Sequence, residues 1–156
     1  MKRVRISPGE WFAVPMPHGG EAIGLVARAA PSETLLGYFF GPIRDRVGLE
    51  QAALLTASQS IWVKRFGPMG LKNGTWRRLG KLPDWDPEEW PMPVFVNYQE
   101  LSGSTFRVHY GPDDPSHVVR TELVDPGAAE QGPPDGLAGS GFVEKFLEKA
   151  LTSPIE

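Results

Sequence analysis

The segment Leu82 to Phe95, LPDWDPEEWPMPVF, crowds the carboxylates Asp84, Asp86, Glu88 and Glu89 around Trp85 and Trp90. Two carboxylates can serve as acid and base across a glycosidic bond. Four of them on an exposed, proline-bounded turn should instead stay ionised and solvated. What remains is the chemistry of contact, in which indole rings supply apolar area and rim charges steer association. The alternative is structural: Trp85 and Trp90 close one end of a barrel while the acids only solvate the turn. The candidate partner-binding residues are therefore Asp84, Trp85, Asp86, Glu88, Glu89 and Trp90.

Other chemistry finds less footing. Nucleophilic catalysis needs a Ser, Cys or Thr beside a base, and the sequence has no G-x-S-x-G elbow. His18, His109 and His117 form neither H-x-H nor H-x-x-x-H, so no metal ligand set is assigned. Gly67, Gly70 and Gly74 lack the Lys-Ser or Lys-Thr that completes a phosphate loop. No catalytic residue, metal or cofactor is expected. Arg44, Arg46, Lys64, Arg65, Arg77, Arg78 and Lys81 are scattered over separate strands and turns. Arg77 and Arg78 point to opposite faces if both lie in a strand, so direct nucleic-acid binding is not expected.

The elements that would position these residues are short strands. EWFAVPM (10–16) alternates as a strand, Pro17-His18-Gly19-Gly20 marks a turn, and Ala22–Ala30 and Leu35–Phe40 follow as partners. Leu49–Leu55 is ambiguous between helix and strand. Ile61–Phe66 is a further strand, and Asn73-Gly74 resembles a tight turn leading into another at Thr75–Leu79. Asp86-Pro87-Glu88-Glu89 combines an N-cap, an N1 proline and an acidic first turn, which predicts one short helical turn. Val94–Tyr98, Thr105–Tyr110 and His117–Val124 complete the strands.

Residues 125–141, rich in Gly, Pro and Ala, read as a flexible connector. Beyond them Phe142, Val143, Phe146, Leu147, Ala150 and Leu151 line one face of a helix over 142–152, which is expected to pack on the same domain.

Composition agrees with this reading. In 156 residues there are 18 Gly and 16 Pro, about twice the usual share, alongside 40% apolar residues, a mixture that suits many turns around short strands. The expected fold is mainly β, a curved antiparallel sheet or small barrel of six to eight strands with one C-terminal helix. Its inner set is Phe12, Val14, Leu25, Leu36, Tyr38, Phe40, Ile61, Val63, Leu79, Phe95, Val108 and Val119. Cysteine is absent, which excludes a disulfide scaffold. Neither a signal-type apolar run nor a membrane-length apolar stretch is present, so the expectation is a cytoplasmic protein with no membrane partner. The net charge of −3 gives no global pull toward nucleic acid.

GEWFAVPMPHGGEAIGLVAR at 9–28, LLGYFFGP at 35–42, RFGPMGLKNGTWRRLG at 65–80 and DWDPEEWPMPVF at 84–95, in that order, resemble the immunity protein 26 family of bacterial polymorphic toxin systems. The resemblance spans about residues 9–124. It implies a cytoplasmic protein that binds a cognate toxin, in many such systems a nuclease, and neutralises it by occluding its surface. Similar sequences are sometimes labelled phosphotriesterases, so an organophosphate hydrolase stands as the enzymatic alternative. A carbohydrate-binding module stacking sugars on Trp76, Trp85 or Trp90 is a third.

Overall fold

The computed structural model describes residues 5–125 and 132–152. Its chain order is β1 (Glu10–Pro15), β2 (Glu21–Ala29), β3 (Leu35–Arg44), α1 (Leu49–Ala52), β4 (Trp62–Phe66), α2 (Met69–Lys72), β5 (Arg77–Lys81), β6 (Phe95–Gln99), β7 (Ser104–Gly111), β8 (Asp114–Val124), β9 (Leu137–Ala138) and α3 (Ser140–Thr152). Two 3-10 turns, Ala57–Gln59 and Pro87–Glu89, lie between these elements.

The strands form two sheets. The larger runs β5-β1-β2-β3-β4-β9 and the smaller β6-β7-β8. All pairings are antiparallel except that of β9, which lies parallel to β4 through Arg65↔Leu137 and Phe66↔Ala138. The fold is thus mainly β with a C-terminal helix, as the sequence predicts, in two open sheets rather than a closed barrel.

The large sheet is the middle layer of the molecule. One face carries Phe12, Val14, Val26, Phe39, Trp62, Phe66 and Trp76 beneath Val143 and Leu147 of α3. The other carries Trp11, Ile23, Leu25, Leu36, Tyr38 and Phe40 beneath Trp90, Phe95, Val108 and Tyr110. Double coverage explains why β2 and β3 read as nearly unbroken apolar runs instead of alternating. It also corrects the single inner set expected from the sequence: Phe12 and Val14 belong to one core, Leu25, Leu36, Tyr38 and Phe40 to the other. Ile61 and Val119 lie outside both and are exposed. Ile61 precedes β4, and Val119 sits on an edge strand that extends beyond the large sheet's cover. Val63 and Leu79 are only partly buried, against the second core.

Two local expectations change. Asn73-Gly74 does not join two paired strands. Asn73 caps the one-turn helix α2, its Oδ1 accepts from the Thr75 amide at 2.9 Å, and β5 then pairs with β1 on the opposite edge from β9. The stretch read as a flexible connector contributes structure over its described part, 132–139. Gly67 donates to the Ala138 carbonyl at 2.9 Å, and Val96 pairs with Pro134.

Three side chains hold that segment down. The Tyr110 hydroxyl donates to Asp135 Oδ1 at 2.7 Å and Arg65 Nη2 donates to the same oxygen at 3.3 Å. The Arg65 guanidinium also stands 4.2 Å from the Tyr110 ring centroid. Lys64, almost fully buried, donates to the carbonyls of Pro134 and Asp135, and its burial pushes the ammonium pKa down. The helix α3 docks through Trp62 and Phe146, stacked with centroids 3.9 Å apart, and through Leu151 against Gly41.

Candidate partner-binding site

The acidic-aromatic segment lies over the second core, between the large sheet and β6. Asp86 sits in extended backbone and its Oδ1 accepts from the Glu88 amide at 3.0 Å. Pro87 occupies the first position of the 3-10 turn, as the sequence predicts. The turn is closed by Glu89 N to Asp86 O at 3.2 Å and Trp90 N to Pro87 O at 3.0 Å. The side chains of Asp84, Asp86, Glu88 and Glu89 stand in solvent.

The two tryptophans divide. Trp90 is 4% exposed and packs edge-on against Trp11 at 5.6 Å, Tyr38 at 5.1 Å and Phe40 at 6.0 Å. It is an anchor for the acidic turn and offers no ring to a partner, which corrects its place among the contact residues. The reason is energetic: an indole with three aromatic neighbours beneath it gains more from burial than from exposure. Trp85 is half-buried. Its six-membered ring lies against Gly9, where an added Cβ would approach Trp85 Cδ2 to 2.9 Å. Trp76 is 1% exposed, stacked on Phe12 at 5.5 Å, and unavailable to a sugar.

Sequence reading missed the residue that fixes the turn. Arg28, on β2, is 8% exposed and donates to three backbone carbonyls: Pro112 at 2.6 Å, Ala27 at 2.7 Å and Pro87 at 3.2 Å. It ties the large sheet, the acidic turn and the β7–β8 turn together. A second tie comes from the Tyr38 hydroxyl, which donates to the Pro91 carbonyl at 2.5 Å. The available signal was the lone cation in AIGLVARAA, since an arginine inside a strand buried on both faces must find acceptors. A depression of about 370 Å³ opens beside Arg28, lined by Glu88, Pro91, Met92, His109 and Pro112 among others.

The remaining charged candidates are spread out. His109 Nε2 lies 2.9 Å from Glu122 and 3.2 Å from Arg120, His18 lies 3.5 Å from Glu148, and His117 stands exposed on β8. Among the described residues no three His, Asp or Glu side chains come together in a group that could hold a metal ion. Arg77 and Arg78 diverge to opposite faces. Arg77 grips Glu21 with two bonds of 3.1 and 2.6 Å, and Arg78 pairs with Glu10. Burial pushes the Glu21 carboxyl up, but the Arg77 bonds, the Val47 amide and the charges of Arg77 and Arg46 together hold the pKa below its usual value.

A family model described as immunity protein 26 matches residues 7–107, well over half of the chain. The chain belongs to the immunity protein 26 family. The matched stretch runs from the approach to β1 into β7 and includes Arg28, the acidic turn and Trp90, while β8, β9 and α3 lie beyond it. Family membership gives the chain an immunity role with a toxin as its partner. No curated protein and no solved structure matches it. No helix among the described residues is long and apolar enough to cross a membrane.

Proposed function

We propose that this immunity protein 26 member binds its cognate toxin in the cytoplasm and neutralises it by covering the toxin's working surface, without covalent chemistry. The observation that carries the reading is a rigid acidic lip: Asp84, Asp86, Glu88 and Glu89 project into solvent from a turn fixed below by Trp90 and Arg28. Pre-organisation matters because a surface that is already ordered loses little entropy on association. Half-buried Trp85, whose ring lies against Gly9 and the second core, leaves part of its apolar area next to Asp84 and Asp86 in the chain. Such a lip complements a cationic cleft of the kind a nuclease uses for its phosphate backbone, and long-range attraction would raise the association rate.

The test is co-expression with the toxin domain encoded beside this gene, followed by binding of the purified pair at several salt concentrations. Replacing Asp84, Asp86, Glu88 and Glu89 together by Ser or Gln should slow association and flatten its salt dependence. Unchanged affinity and salt dependence would remove the lip from the interface. Turnover of a chromogenic organophosphate that survived repurification would instead favour the hydrolase alternative.

A further inference from the structure

Strand β8 is long, exposed and paired on one side only. Among the described residues β8 pairs with β7 and with no other strand, which leaves one row of backbone donors and acceptors open along its stretch 118–124, beyond the Pro115 carbonyl that accepts from Arg65. Edges of this kind are templates for strand addition, and proteins normally blunt them with lysine, proline or cover. Here the open stretch 118–124 contains neither Lys nor Pro. It carries apolar side chains in solvent instead: Val118 is 45% exposed, Val119 56% and Leu123 68%.

The order of those residues is self-complementary. About Thr121, the sequence Val118-Val119-Arg120-Thr121-Glu122-Leu123-Val124 reads apolar, apolar, cation, neutral, anion, apolar, apolar. In an antiparallel pair related by a two-fold axis through Thr121, Arg120 of one chain stands opposite Glu122 of the other, and the reverse. Val119 meets Leu123, Val118 meets Val124, and one step further His117 meets Asp125. Over 117–125 a self-pairing strand therefore matches apolar with apolar and charge with opposite charge, as an isologous interface requires. Arg120 is 64% exposed; within one chain its guanidinium lies 3.6 Å from Glu122 on the same side of β8, and both side chains reach His109 Nε2, at 3.2 and 2.9 Å. Pairing two copies would alternate four charges in a row.

We propose that the occupant of this edge is a second copy of the chain, so that two small sheets join through β8 into one continuous six-stranded sheet. The proposal is independent of the toxin-binding reading, because β8 lies outside the matched family region and its edge is distinct from the acidic turn.

Sedimentation velocity over a range of concentrations tests it on the full chain and two single charge reversals. The natural chain should dimerise. Arg120→Glu alone and Glu122→Arg alone should each weaken association by about tenfold or more, since both symmetric pairs become repulsive. The decisive arm mixes the two variants: one chain then presents two anions at 120 and 122 and the other two cations, so the heterodimer should form at least as tightly as the natural homodimer. A loss caused only by disturbing the monomer would not be restored by mixing. A natural chain that stays monomeric, a dimer indifferent to both reversals, or a mixture that stays monomeric would each overturn the proposal.

Discussion

Arg28 donates through Nη2 to the carbonyl of Pro87, 3.2 Å away and fifty-nine residues further along the chain. A buried cation on a central strand thereby sets the height at which the acidic turn stands above the large sheet. The same guanidinium reaches Pro112 and Ala27, so its charge is spread over three carbonyls rather than matched by one buried carboxylate.

Arg28→Met keeps much of the stem's volume and removes all three bonds. The unsatisfied Ala27, Pro87 and Pro112 carbonyls should cost roughly 2–3 kcal/mol of stability, read by urea denaturation. Hydrogen exchange should rise selectively at Glu88, Glu89 and Trp90, whose amides close the turn. Uniform exchange across the chain would show that Arg28 does not act on the turn.

Trp90→Ala should destabilise the fold by about 3–5 kcal/mol, the range for emptying a large aromatic site. The joint replacement of Asp84, Glu88 and Glu89 by Gln should change stability by only about 0.5 kcal/mol or less, because all three are exposed and the capping carboxylate of Asp86 is kept. Thermal melts of the two variants side by side separate the anchor from the lip.

Gly24, paired with Phe12 across β1 and β2, has no room for a side chain: an added Cβ would lie 2.2 Å from Phe12 Cζ. Its backbone is ordinary strand, so the constraint is contact rather than dihedral angle. Gly24→Ala should cost roughly 1–3 kcal/mol by overpacking. The double variant with Phe12→Leu should recover part of that loss, and full additivity of the two would contradict the contact.

Burial raises the Tyr38 hydroxyl from its usual 10.0 to about 12, with Arg28 opposing the shift. Tyr110 is raised as well, first by burial and then by its bond to Asp135. Folded tyrosines that keep protons the unfolded chain has lost contribute stability fully present below pH 10, and that stability is lost as pH rises through the folded values. Unfolding free energy should therefore fall between about pH 10 and 12, and Tyr38→Phe should make the fall shallower. An equally steep decline in Tyr38→Phe would assign the alkaline loss to other groups.

The sequence located the eight main strands, the capped acidic turn and the C-terminal helix, because each rests on local rules: alternation, an Asx-Pro cap, a 3.6-residue repeat. β9 escaped, since two residues pairing parallel to β4 leave no periodic trace. Pro134 and Asp135 are fixed by Lys64 and Arg65 seventy residues away. For the candidate site, the exposed acids were legible as a polar run, while the choice between packing and partner contact for Trp90 was not.

By itself, then, the amino-acid order determined that this chain is a β-rich member of the immunity protein 26 family and where its acidic turn forms. Only the tertiary structure decided that the large sheet is covered on both faces, that Trp90 faces inward and that Arg28 supports the lip. Whether an aromatic or a cation is buried depends on what the rest of the chain brings over it. That depends on long-range packing, which nearest-neighbour patterns do not encode.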